Sequence, residues 1–149
     1  MEIERKYLID KHKLIPDINS YPHHLIEQGY MCTEPVVRIR KSDDEYYLTY
    51  KSKGLMSREE YNLPLTKESY YHMLSKCDGN IISKVRYMIP FKKYTIELDI
   101  FSGKFEGLIL AEVEFDNLEE AESFIPPEWF GEDVTFSTQY HNSTMSKAN

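Results

Sequence analysis

Charged side chains recur two residues apart along most of this sequence. Glu2, Glu4 and Lys6 open it, followed by Arg38 with Arg40, Lys51 with Lys53 and Arg58 with Glu60. Lys84 with Arg86, Glu97 with Asp99, and Glu112 with Glu114 complete the set. On a β-strand a spacing of two sends side chains to one face. Several pairs are of a single sign, and like charges at that spacing repel unless something neutralises them. Together these positions supply eight bases and seven acids. That mixture suits a division of labour in which the cations grip a polyanion and the acids hold a divalent metal. Arg forks and Lys point charges match phosphate oxygens. Mg²⁺ prefers oxygen ligands and is held by one or two carboxylates plus substrate phosphates, which makes Glu2/Glu4 and Glu112/Glu114 the natural metal sites.

The elements that must position these residues are mostly strands. Segments 1–9, 28–33, 36–42, 45–53, 57–64, 81–89, 93–101 and 107–115 alternate and are rich in Val, Ile, Thr, Tyr and Phe. The positions between the charges are apolar, including Ile3, Val37, Ile39, Val85, Leu98 and Val113. Eight strands with short turns predict an antiparallel meander or barrel in one α+β domain, residues 1–149. If the ionic face turns inward, the lumen must stay hydrated or hold a polyvalent ligand, because unpaired buried charge costs several kcal/mol per group. Segment 10–26 reads as a poor helix broken by Pro16 and Pro22. Better helices are expected at 67–77, ending before Gly79, and at 117–125, capped by Asp116. The polar tail after Trp129 has no assignable element and is a candidate to close one tunnel mouth.

The chain has 149 residues and a formal charge of −7. Residues 112–149 carry nine acids and one lysine (−8), leaving +1 for residues 1–111. The acidic balance argues against a nucleic-acid partner gripped by a broad basic face. No apolar run is long enough for a membrane span, and the charged start MEIERKYLID is unlike a signal peptide. Cys32 and Cys77 lack metal-ligand spacing, so both are expected reduced in a cytoplasmic protein. Nothing in the sequence sets the oligomeric state.

In order along the chain stand Glu2-x-Glu4-x-Lys6, Gln28-Gly29-Tyr30, Arg38-Ile39-Arg40, Tyr47-Leu48-Thr49-Tyr50-Lys51, Arg58-x-Glu60, Lys84-x-Arg86, Glu97-x-Asp99, Glu112-Val113-Glu114 and Tyr140-x-Asn142. This ordered set resembles the CYTH superfamily, the triphosphate tunnel metalloenzymes, over roughly residues 2–142. The resemblance implies an eight-stranded antiparallel tunnel with helices packed outside, which binds a small linear triphosphate with Mg²⁺ or Mn²⁺ and hydrolyses it. It implies metal ligation by Glu2, Glu4 and Glu114 with Glu112. Phosphate binding falls to Lys6, Arg38, Arg40, Lys51, Lys53, Arg58, Lys84 and Arg86, and Glu60, Glu97 and Asp99 become tunnel acids that position cations or a second metal. For hydrolysis the chemistry needs an activated in-line water and charge stabilisation, expected from Glu2 or Glu4, or a carboxylate acting through a second metal, with Lys84 and Arg86 steadying the transferring group and leaving diphosphate. Inorganic triphosphate is the favoured substrate, because no pocket for an organic group is evident. The alternatives are a nucleoside or thiamine triphosphatase, a class IV-type adenylate cyclase, and a non-catalytic polyphosphate-binding module. Two positions depart from the family pattern: Asn62 stands where many relatives have Glu, and Gln139 where an Arg often precedes the terminal Tyr.

Overall fold

In the computed structural model, residues 1–148 are described. Nine strands form one sheet: β1 (Glu2–Leu8), β2 (His23–Thr33), β3 (Val36–Ser42), β4 (Glu45–Lys51), β5 (Ser57–Arg58), β6 (Glu60–Pro64), β7 (Asp78–Phe91), β8 (Tyr94–Ser102) and β9 (Ile109–Glu114). Their order is β5-β1-β9-β8-β7-β2-β3-β4-β6, and every pairing is antiparallel. The sheet's two edges, β5 and β6, are separated in sequence only by Glu59. One segment therefore sews the sheet into a barrel, its first residues on β1 and its last on β4. This explains the count of nine where the periodicity predicts eight: the expected strand 57–64 changes partner midway and loses its ladder at the crossing.

The first expected helix does not form. Pro16 and Pro22 leave only 3₁₀ turns at Lys11–Lys13 and Ile18–Ser20, and β2 starts at His23, paired with β7. Helix α1 (Lys67–Leu74) is fixed by a reciprocal cap between Thr66 and Ser69. It ends at Ser75, short of the expected 77, and Gly79 lies inside β7 and does not close it. Helix α2 (Leu118–Ser123) is capped by Asn117, whose side chain accepts from the Glu120 amide, and not by Asp116. The tail, unassignable by pattern, forms a turn at Thr138–Tyr140 and a short helix α3 (Asn142–Met145).

Two apolar clusters hold the barrel. Outside, Ile3, Tyr7, Leu98, Ala111 and Val113 pack beneath Phe115, Ala121 and Phe130, so α2 and its flanks cover β1, β8 and β9. Fully buried Tyr70 of α1 and Ile39 lie on the β3–β4 side, with the Tyr70 hydroxyl donating to Glu27. The second cluster gathers Tyr30, Val36, Ile82, Phe101 and Leu110 with Val134 and Met145 from the tail. Val36, Ile82 and Leu110 share strand faces with Arg38, Lys84 and Glu112. The inner face is thus ionic for most of its length and apolar at one end, where the tail stoppers it.

Gly79 makes that stopper possible. Its φ is +74°, and a Cβ there would come within 2.1 Å of the Ser146 carbonyl oxygen. Gly79→Ala is expected to cost about 1–3 kcal/mol and to loosen residues 137–148. Urea unfolding with limited proteolysis of the tail measures both, and an unchanged midpoint would refute this docking role.

Candidate active site

Alternation within the barrel strands carries the ionic positions inward. Cross-strand partners set the neighbours: Glu4 lies opposite Glu114, Lys6 opposite Glu112, Arg86 opposite Asp99, Gln28 opposite Arg40 and Lys51 opposite Glu60. They enclose a cavity of about 210 Å³. Glu2, Glu4, Lys6, Arg38, Arg40, Lys51, Arg58, Glu60, Lys84, Arg86, Glu97, Glu112 and Glu114 all line it. Two expected positions do not. Lys53 lies beyond the end of β4, its side chain 78% exposed and paired with Glu34 outside the tunnel. The alternation expected through residue 53 stops at Lys51 because the chain turns away toward Gly54. Asp99 is 0% exposed and sits in the wall behind the cations. It contacts Lys84 Nζ at 2.8 Å and Arg86 Nε at 2.7 Å, so its oxygens are occupied as a counter-ion and not offered to a second metal.

Most lining cations carry a carboxylate of their own. Lys6 pairs with Glu112 (3.5 Å), Lys51 with Glu2 (3.1 Å) and Glu60 (3.2 Å), Arg58 with Glu2 (3.4 Å), and Arg86 with Asp99 and Glu97. These pairs shape the titration of the tunnel. Burial would raise Glu112, but Lys6, Arg86 and Lys84 hold it well below the usual carboxylate range. Burial likewise works against Glu60, yet its hydrogen bond with Glu2 and the charge of Lys51 bring it to about 2. Lys84 is pushed down to about 7, by burial above all and by Arg86 and Arg40, against the pull of Asp99.

Four lining groups lack such a partner. Arg40 meets only a neutral acceptor: Nε and Nη2 donate to Gln28 Oε1 at 2.8 and 2.6 Å. Arg38 donates from Nη2 to Thr49 Oγ1 at 3.0 Å, and its buried Nε has no partner among the described residues. On the acid side, Glu4 and Glu114 face one another across β1 and β9, and neither carboxylate has a hydrogen-bond or ionic partner among the described residues. Burial, then Glu112 and Glu2, push Glu4 up to about 8; burial and Glu97 also raise Glu114. Uncompensated positive charge is concentrated on β3, and uncompensated carboxylate on β1 and β9.

This donor set fits a divalent cation bound through oxygen. Carboxylates crowded enough to resist ionisation are relieved by a metal, and the set contains no sulfur. Among the described residues no three His, Cys, Asp or Glu side chains form a finished metal cage.

Pattern reading missed several lining residues. Tyr30, Asn62, His141, Asn142 and Ser143 also border the cavity. Asn62 accepts from Thr49 (2.6 Å) and donates to Glu60 (3.1 Å), a neutral link between β4 and β6. Lys6 Nζ donates to the Tyr140 carbonyl, and Asn142 Oδ1 accepts from Lys84 (2.9 Å), so the tail reaches the lumen. His141 is held down to about 4 by burial and the charges of Lys6 and Arg58, which keeps its imidazole neutral. Gln139 is exposed and does not line the cavity. The sequence signal that could have flagged this segment is Tyr140-x-Asn142, but no periodicity tells a plug from a solvated tail.

A barrel whose unpaired cations stand on β3 and whose unpaired carboxylates stand on β1 and β9 defines a tunnel protein built to take a polyanion. The CYTH domain model matches residues 1–149, and the chain belongs to that family. It is 35% identical over 151 residues to the inorganic triphosphatase of Nitrosomonas europaea, covering 97% of this chain and 96% of that one. It is also 35% identical over 153 residues to the inorganic triphosphatase of Acetivibrio thermocellus, covering 98% and 93%. The crystal structure of the inorganic triphosphatase NE1496 superposes with a TM-score of 0.74 at 32% identity, covering 100% of this chain and 96% of that one. No helix among the described residues is long and apolar enough to cross a membrane.

Proposed function

We propose that this chain hydrolyses linear inorganic triphosphate to diphosphate and phosphate inside the tunnel, with Mg²⁺ or Mn²⁺. The observation that carries the reading is the partition of uncompensated charge, Arg38 and Arg40 on one wall and Glu4 and Glu114 on the other. It is supported by near-full-length similarity to two proteins named inorganic triphosphatase.

Arg38 and Arg40 bind the phosphate chain, assisted by Lys6, Lys51 and Arg58, whose carboxylate partners hold them in place. Glu4 and Glu114, with Glu2 and Glu112, would hold the divalent cation, which supplies charge neutralisation on the phosphoryl oxygens when bound. A carboxylate of this group, Glu4 or Glu2, takes a proton from the water that attacks the terminal phosphorus as the bridging P–O bond breaks. Lys84 and Arg86 stabilise the charge that develops on the transferring group and departing diphosphate. With a pKa of about 7, Lys84 can also donate a proton to the leaving oxygen near neutral pH.

Product analysis with tripolyphosphate, ATP and thiamine triphosphate, each with Mg²⁺, Mn²⁺ or EDTA, tests the reading. Metal-dependent phosphate release fastest from tripolyphosphate is expected. Cyclic AMP formation or preference for an organic substrate would replace the activity, and binding without any product would make the tunnel a receptor.

A further inference from the structure

The motif Gln28-Gly29-Tyr30 is not used by the chemistry above, and its middle residue packs closely against neighbouring side chains. A Cβ on Gly29 would meet Cys77 Sγ at 2.9 Å and Ile81 Cδ1 at 3.0 Å outside the barrel. Gln28 and Tyr30, on the other face, turn inward. Gln28 is 0% exposed, and every polar atom of its amide is engaged. Oε1 accepts both bonds from Arg40, while Nε2 donates to the Tyr30 hydroxyl at 3.0 Å and to Asn142 Oδ1 at 3.1 Å. Asn142 Oδ1 accepts in turn from Lys84.

The orientation of this chain is set by its ends. A guanidinium has only donors to offer, and so has an ammonium. Arg40 therefore fixes the Gln28 carbonyl toward itself, which turns the NH₂ toward Asn142; Lys84 demands the same Asn142 oxygen. Both amides are neutral, so they add orientation without cancelling charge: Arg40 has no carboxylate partner at all, and Lys84 keeps Asp99 as its counter-ion while Asn142 fixes its direction.

We propose that Gln28 and Asn142 form a neutral amide relay that positions Arg40 and Lys84 for the phosphate chain, making the tail segment a working part of the grip. The inference rests on the triphosphate reading for its ligand but not for its geometry. Gln28→Glu keeps an acceptor for Arg40 while neutralising it, and compels Asn142 to turn its NH₂ toward the new carboxylate, away from Lys84.

Two measurements test the relay. In the unliganded protein, the Arg40 Nε–H should give a resolved, exchange-protected NMR resonance that shifts or broadens in Asn142→Ala, although Asn142 does not touch Arg40. Tripolyphosphate binding measured in EDTA should weaken about tenfold or more in Gln28→Glu, whereas Mn²⁺ binding, measured separately without EDTA or phosphate, should be unchanged, because Glu4 and Glu114 lie on the far wall. General collapse of the tunnel would lower both. Should Gln28→Glu not fold, Asn142→Ala carries the binding arm, with a severalfold loss expected. An Arg40 resonance indifferent to Asn142→Ala, or tripolyphosphate affinity within twofold of wild type in a folded variant, overturns the relay. Wild-type protein that shows the coupled resonance yet binds no tripolyphosphate would overturn the triphosphate reading and leave the relay standing.

Discussion

Glu4→Gln is expected to lower turnover of tripolyphosphate by a factor on the order of 10²–10⁴, the usual range for loss of a positioned acid–base group, while affinity for the substrate stays within a fewfold. The substitution keeps shape and hydrogen-bonding capacity but removes the ionisable carboxyl that has no internal partner. A pH signature accompanies it. In the metal-free protein Glu4 titrates near 8 in place of 4.5, so below pH 8 a metal must displace a proton. Metal affinity should rise by up to tenfold per pH unit toward pH 8 and then level. The linkage has a definite sign: a carboxyl whose pKa is raised on folding contributes stability below about pH 4.5, and that contribution is lost as pH rises through 8. Mg²⁺ should therefore raise the melting temperature more at pH 8.5 than at pH 6, and Glu4→Gln should flatten the contrast. Full activity in the variant would exclude Glu4 from catalysis. Equal Mg²⁺ stabilisation at both pH values would exclude the carboxylate cluster as the metal site.

Arg40→Glu is expected to weaken tripolyphosphate binding by about a thousandfold, with the fold retained. Losing one charged hydrogen bond costs about 1.5–3 kcal/mol, and the introduced repulsion adds a similar amount, giving roughly 4 kcal/mol, about 10³ in affinity. Folding should tolerate the change because Arg40 is itself under electrostatic stress. Burial, Arg38 and Arg86 push its pKa down to about 9, and a carboxylate here would find Arg38 and Arg86 nearby. Calorimetric titration with tripolyphosphate in EDTA, alongside the melting temperature, separates binding from stability. Affinity within tenfold of wild type would mean that the β3 wall does not bind the phosphates.

Much of this site was legible because a strand converts spacing into side. Once Arg38 and Arg40 are two apart with Val37 and Ile39 beside them, they must share a face, and that face must be wet or liganded. The same reasoning failed at Lys53, where the alternation continues on paper after the ladder has ended. At Asp99 the spacing left two tasks open, positioning cations or holding a second metal, and the structure buries it as the counter-ion of Lys84 and Arg86. The helix caps show a similar limit: Asp116 and Asn117 are both good capping residues, and it is Asn117, extended in the structure, whose side chain accepts from the Glu120 amide.

The sequence by itself determined the strands, the sign and sidedness of their charges, and the family, since each depends on local periodicity or on residue types in order. Tertiary structure decided which charges remain uncompensated. Lys6 and Arg40 look alike in the sequence, yet one stands opposite a carboxylate and the other opposite an amide, and cross-strand register alone makes that assignment. It also decided that the tail enters the barrel, because a plug is recognised by the cavity it fills and not by any repeat of its own.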